Sequence, residues 1–194
     1  MVSVRGLSIH FLAKGDFRPL NPHKVKEKNI REAKDNNCVK VAVGGTFEAI
    51  HAGHIKLLKK AFELGDEIII GVTSDSFVER MGKKVETPYL DRIVRLKEKI
   101  DEIAERDFRF YIAMLEDPYG PVLKEEIDYI VVSPESFKNA LKANKLRKQM
   151  GFKPMNIYVI NFVKAETGEK ISSTDIKKGK ILSDGKTVKL KVNP

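Results

Sequence analysis

Two histidines, His51 and His54, stand three residues apart in the stretch Val41-Ala-Val-Gly-Gly-Thr-Phe-Glu-Ala-Ile-His-Ala-Gly-His-Ile55. Imidazoles can donate, accept or carry a proton near neutral pH, and a pair at this spacing at a helix start can address one small anionic group. Thr46 adds a hydroxyl donor, and Gly53 removes a side chain where a ligand's backbone would pass. Either histidine alone reads as a surface residue beside an ordinary turn. The combination is more specific: five fixed positions, Thr-Phe and His-x-Gly-His, at about one in twenty each, recur by chance in a chain of this length roughly once in ten thousand sequences.

A second constellation lies far along the chain, at Lys170-Ile-Ser-Ser-Thr-Asp-Ile-Lys-Lys-Gly179. Ser172, Ser173 and Thr174 are three consecutive hydroxyls where a helix begins. Capping accounts for one or two of them, which leaves a hydroxyl free for phosphate oxygens, with Lys177 and Lys178 one turn away.

The elements that must position these groups are legible in outline. Val39, Val41 and Val43 mark a buried strand over 39–44, Gly44 and Gly45 are expected to turn the backbone with positive φ, and a helix follows over 52–64, stopped by Gly65. Glu67–Val72 is apolar on both sides, as a central parallel strand requires. A short capped helix runs to Met81. Pro88 opens a long helix with Leu90, Ile93, Leu96, Ile100 and Ile103 inward. Strands are expected over 108–114, 129–132 and 157–163, and a basic amphipathic helix over 135–150 seated on Phe137, Leu141, Leu146 and Met150. The alternation predicts an α/β, Rossmann-like, doubly wound five-stranded parallel sheet with helices on both faces, its site at the strands' carboxyl ends. By topology, loops 71–76 and 133–136 are further ligand candidates. Residues 1–38 read as an extension with a strand-like arm and a polar linker or helix, 39–181 as the main domain, and 182–194 as a tail that could add a strand.

Composition limits the partners. A net charge of +9 suits anionic ligands, yet the lysines are spread along solvated helix faces, and no aromatic-basic RNA-binding motif accompanies them. Nucleic acid is therefore not expected. The single cysteine permits no internal disulfide, the first twenty residues lack a signal peptide's apolar core, and no run reaches membrane-spanning length. A cytoplasmic location is expected, with no membrane partner. No carboxylate cluster suggests a dedicated metal site, and the oligomeric state is not legible.

Gly45-Thr46-Phe47 with His51-Ala52-Gly53-His54 resembles the signature of the HxGH nucleotidyltransferase superfamily, and Ile171–Thr174 resembles its second signature. Lys83-Lys84 before Pro88-Tyr89-Leu-Asp-Arg92, and Asp117-Pro-Tyr-Gly-Pro121, narrow the likeness to archaeal and eukaryotic-type phosphopantetheine adenylyltransferases. The resemblance spans about residues 39–181. Two departures stand out: Glu48 where aspartate is usual, and Asp175 and Lys177 where arginines often follow the hydroxyls.

The resemblance implies adenylyl transfer from ATP, with Mg²⁺ on the nucleotide, to phosphopantetheine. It implies His51, His54, Lys84 and Thr46 as catalytic residues, and Gly44, Gly45, Thr46, Phe47, Gly53, His54, Ser172, Ser173, Thr174 and Lys177 as phosphate or nucleotide contacts. Lys83, Arg92, Asp117, Tyr119 and Gly120 are acceptor or loop candidates. The alternatives are another transferase on the same scaffold, acting on nicotinamide or flavin mononucleotide or on a polyol phosphate, and a non-catalytic nucleotide- or nucleic-acid-binding protein.

Overall fold

The computed structural model describes the backbone of residues 8–12 and all of residues 38–188. The elements run β1 (Ser8–Leu12), β2 (Lys40–Gly45), α1 (Ala52–Leu64), β3 (Glu67–Thr73), α2 (Asp75–Arg80), α3 (Tyr89–Ile103), β4 (Arg109–Leu115), a 3-10 turn (Gly120–Leu123), β5 (Tyr129–Val132), α4 (Phe137–Gln149), β6 (Asn156–Val159) and α5 (Ser173–Lys177). The strand order is β1-β4-β3-β2-β5-β6. The last five strands are mutually parallel, and β1 pairs antiparallel with the outer edge of β4.

The chain therefore winds outward from β2 through β3 to β4, then returns to the other side of β2 with β5. At such a reversal the connections leave in opposite directions and open a crevice above the two central strands. The sheet's two faces explain the apolar runs. Val41, Val43, Ile68, Ile70, Val72, Phe110 and Ile112 pack against α1 and α3, whereas Ala42, Ile69, Tyr111 and Ala113 pack against the 3-10 turn and Ala143 of α4. Each fully buried aliphatic side chain contributes about 1.5–3 kcal/mol.

Three expectations need correction. Leu90 is 64% exposed. The inward arc of α3 is Tyr89, Arg92, Ile93, Leu96 and Ile100, with an arginine at a position that hydrophobic patterning assigns to solvent. In α4 the buried residues are Ala140, Ala143 and Arg147, while Phe137, Leu141 and Met150 are exposed and Leu146 is only half-buried. Small residues let this helix lie close to the sheet, and the buried Arg147 guanidinium is held by the carbonyls of Lys153 (2.9 Å), Glu125 (2.7 Å) and Val122. Finally, β6 stops at Val159 rather than Val163. Ile160 turns inward, and an antiparallel bridge between Lys164 and Lys170 folds the chain back towards the sheet's carboxyl end.

Gly65 ends α1 in an extended conformation, φ −123°. Its lack of a side chain matters for close approach, since a Cβ there would lie 2.5 Å from Val41 Cγ2. Of the N-terminal extension, residues 8–12 form the added strand β1; the expected linker or helix before Asn37 lies outside the described residues. Ile181 and Thr187 make an isolated bridge in the tail, and residues 189–194 lie outside the described part. No helix among the described residues is long and apolar enough to cross a membrane.

Candidate active site

The carboxyl end of β2 runs into the first loop without the expected glycine kink. Neither Gly44 nor Gly45 has positive φ; that conformation falls on Phe47, at +53°. A non-glycine residue in the left-handed region costs about 1–2 kcal/mol, and here the surroundings hold it. The Phe47 ring is completely buried, and the Thr46 carbonyl accepts a 2.6 Å hydrogen bond from Arg92 Nη1. Gly45 lies against the ring, where a Cβ would sit 3.2 Å from Phe47, closer than an ordinary contact.

His51 is the N-cap of α1, and its Nδ1 accepts the Gly53 N–H at 3.1 Å. In the neutral ring the proton must then sit on Nε2. Gly53 acts on the histidine itself: a Cβ there would lie 3.0 Å from His51 Cε1 and Nδ1. The His51 and His54 rings stack at 3.9 Å and 28°, and Phe47 lies 5.0 Å from His54. The His54 ring is half-buried, with its Nδ1 sheltered and unpartnered among the described residues. Burial lowers the pKa of His51 to about 4. Burial, reinforced by the neighbouring His51 and opposed by the Ala49 carbonyl, takes His54 to about 3. Both imidazoles are therefore neutral at pH 7.

These histidines line a cleft of about 770 Å³. The cleft also brings together Gly44, Gly45, Thr46, Phe47, Gly53, Lys83, Lys84, Ser172, Ser173, Thr174 and Lys177. Lys83 and Lys84 make no ion pair among the described residues. The three hydroxyls divide their work. Ser172 Oγ caps α5, accepting from the Asp175 N–H at 3.1 Å and donating to the Asp175 carboxylate at 2.5 Å. Ser173 Oγ donates to the Ala49 carbonyl at 3.1 Å and so ties α5 to the histidine loop. Thr174 Oγ1 is the surplus hydroxyl, with no partner among the described residues.

Lys177 is not a free cation. Its Nζ lies 3.0 Å from Glu48 and 3.2 Å from Glu86, and Glu48 also accepts the Glu86 N–H at 2.6 Å. Burial pushes the Glu48 carboxyl up, but that N–H and the Lys177 ammonium outweigh it and hold the group below the ordinary carboxylate range.

Four sequence candidates do not line the cleft. The Arg92 guanidinium is buried beneath the loop. Asp117 accepts the N–H groups of Tyr119 and Gly120, both at 2.7 Å, and shapes the turn after β4, with Gly120 at φ +52° and Tyr119 against the second core. Of the two loops suggested by topology, 133–136 lines the cleft and 71–76 does not. Glu86, Asn161, Phe162 and Lys170 also line it. Asn161 and Phe162 carry no motif, and only their place just past a parallel strand's carboxyl end could have marked them.

Residues 42–179 match the cytidylyltransferase-like family. The phosphopantetheine adenylyltransferase of Methanosarcina acetivorans is 46% identical over 149 residues, covering 76% of this chain and 94% of that protein. This chain belongs to the phosphopantetheine adenylyltransferase family. A second member, from Methanopyrus kandleri, is 48% identical over 139 residues, covering 71% and 88%. A solved protein of unknown function from Archaeoglobus fulgidus superposes with a TM-score of 0.57 at 37% identity, over 63% of this chain and 89% of that one. A lipopolysaccharide core biosynthesis protein from Thermoplasma volcanium shares the fold, with a TM-score of 0.52 at 22% identity, over 64% and 97%. As a phosphopantetheine adenylyltransferase family member, the chain is a nucleotidyltransferase, and the matched residues 42–179 take in both the histidine loop and the hydroxyl string.

Proposed function

We propose that this protein transfers the adenylyl group of ATP to the phosphate of phosphopantetheine, giving dephospho-coenzyme A and pyrophosphate, as a cytoplasmic step of coenzyme A biosynthesis. The observation that carries the reading is the stacked, neutral His51–His54 pair in the same cleft as Thr46 and as Lys83, Lys84 and the Thr174 hydroxyl, which are unpaired among the described residues. Family membership supports the choice of substrates.

The acceptor phosphate is already an anionic nucleophile, so no strong general base is required. Its oxygen forms the new bond to the α-phosphorus while the bond to the bridging oxygen breaks, and pyrophosphate leaves with that electron pair. Alignment and charge stabilisation are what the protein must supply. Thr46 and the loop N–H groups orient the acceptor phosphate. The imidazole N–H donors stabilise the α-phosphate oxygens as charge builds. Lys84, with Lys83 beside it, neutralises bridging oxygens, and the Thr174 hydroxyl holds the departing pyrophosphate, on a turn that Ser173 ties to the Ala49 carbonyl and Lys177 ties to Glu48 and Glu86.

Among the described residues no group of three or more His, Cys, Asp or Glu side chains could hold a metal ion, and Glu48 and Glu86 are committed to Lys177. That donor set suits Mg²⁺ carried on the triphosphate with its own waters, where it would offset phosphate charge.

Pyrophosphate release by the purified protein tests the reading, with ATP or CTP offered against phosphopantetheine, nicotinamide mononucleotide, flavin mononucleotide and glycerol phosphate. Turnover confined to ATP and phosphopantetheine is expected. Turnover with a different pair would reassign the substrate, and no turnover with any pair would leave a binding protein.

A further inference from the structure

Arg92 is, with Arg147, one of the two largest fully buried side chains among the described residues, at 0% exposure. It sits among the carboxyl ends of the strands, and a buried guanidinium must satisfy its donors there. Nε donates to the Thr87 carbonyl at 3.1 Å, Nη1 to the Thr46 carbonyl at 2.6 Å, and Nη2 to the Thr73 carbonyl and to Asp75 Oδ1, both at 2.7 Å. One planar fork thus joins the loop after β2, the end of β3 and the segment before α3. Asp75 in turn accepts the Tyr89 N–H at 3.1 Å, which fixes the start of the helix that carries Arg92.

The Thr46 bond has a consequence for the cleft. In a trans peptide the carbonyl and the following N–H point in opposite directions, and the described part of the chain has no cis peptide. With its carbonyl drawn down to Arg92, the Thr46–Phe47 peptide turns the Phe47 N–H the other way, on the side where Thr46 and Phe47 line the cleft. Among the described residues that N–H has no acceptor. The strained φ of Phe47 is the backbone's accommodation of this peptide orientation. The Phe47 ring then packs on His54, which stacks on His51.

We propose that Arg92 is a positioning residue for adenylyl transfer: by holding the Thr46 carbonyl it sets the peptide plane that presents the Phe47 N–H to a substrate phosphate, and through the Phe47 ring it sets the histidine pair. The role rests on the functional reading above. A lysine in this place would keep the positive charge but could satisfy the carbonyls only from a single point, so the fork geometry is what counts.

The test is an NMR titration of the whole protein with inorganic phosphate, standing in for the acceptor phosphate, joined to steady-state kinetics. In the wild type the Phe47 amide should shift on phosphate binding. In Arg92→Lys that shift should be lost and kcat should fall at least about tenfold, with the KM for ATP changed by no more than about threefold. Arg92→Met replaces it if the lysine variant does not fold. Should neither fold, the wild-type titration decides, and a Phe47 amide unmoved at saturating phosphate overturns the proposal. A folded variant that keeps both the amide shift and kcat overturns it too, while leaving the functional reading intact. A wild type that turns over no acceptor, yet shows the Arg92-dependent shift, sinks the functional reading and leaves standing only Arg92's setting of the Phe47 N–H towards a phosphate.

Discussion

Glu48 and Lys177, 129 positions apart in the chain, meet at 3.0 Å on the rim of the cleft. The contact joins the histidine loop to α5, and Glu86 completes a three-residue ion cluster between them. An aspartate at position 48 would be one methylene shorter and would fall short of the Lys177 ammonium that Glu48 reaches at 3.0 Å.

This cluster positions the hydroxyl string, so Glu48→Gln should raise the KM for ATP several-fold with a smaller change in kcat. The pair is partly solvated, and its contribution to stability should be no more than about 1 kcal/mol. A double-mutant cycle with Lys177→Gln, read from KM and from urea denaturation, separates these effects. Additive KM changes would refute the coupling. Because Glu48 is held below its ordinary pKa when folded, its stabilising contribution is complete above the normal carboxylate range and is lost as the pH falls through the lowered value.

Removing a donor that acts on the developing charge is the more direct perturbation. His54→Ala should cut kcat by roughly two or more powers of ten, with circular dichroism and melting close to wild type. Near-normal turnover in that variant would exclude the imidazole from the chemistry.

The histidine pair also sets an acid dependence. With pKa values of about 4 and about 3 in the folded state and about 6.5 unfolded, the unfolded chain binds more protons once the pH drops below the ordinary histidine range. Stability from this source is therefore complete above about pH 6.5 and declines as the pH is lowered towards 4. Urea midpoints measured from pH 7 to pH 4 should fall, and the fall should be shallower in the His51→Ala/His54→Ala double variant. Turnover should stay flat across pH 6–8 with respect to these two groups.

Gly53 and Gly65 make opposite predictions. An alanine at 53 would press on the His51 ring from 3.0 Å, so Gly53→Ala should lower kcat by about tenfold, the scale of a small misplacement near the reacting centre. Its stability should hold or rise, since the site is in the first turn of a helix.

Gly65→Ala should instead leave kcat unchanged and destabilise the fold. The new methyl would meet Val41 Cγ2 at 2.5 Å and Ile68 Cδ1 at 2.9 Å, in a core with no room to relax. About 1–3 kcal/mol is expected from such overpacking, measured as the shift in urea midpoint at constant slope.

The sequence by itself determined the alternation of elements, the class of the sheet, and both clusters of chemistry-bearing residues. Those signals are local: β-branched runs, caps, a histidine pair on one helical turn and three adjacent hydroxyls. Hydrophobic periodicity failed where a buried arginine or small residues took the core positions, at Arg92 in α3 and at Ala140, Ala143 and Arg147 in α4. Patterning weighs a residue by type, whereas burial depends on which partners the fold supplies. A guanidinium is tolerated inside only because particular carbonyls come within reach.

Tertiary structure alone decided how the two clusters combine. Winding out from β2 and back through β5 brings residues 44–54 and 170–178 to one crevice, a juxtaposition no local signal encodes. It also decided the conformation of the first loop. Strain falls on Phe47 instead of the glycines because the Thr46 carbonyl is taken by Arg92, forty-six residues away, and because a buried ring leaves the backbone no other path. The neutrality of the histidines has the same origin: desolvation by the packed loop, and not their residue type, lowers their pKa values far below the usual range.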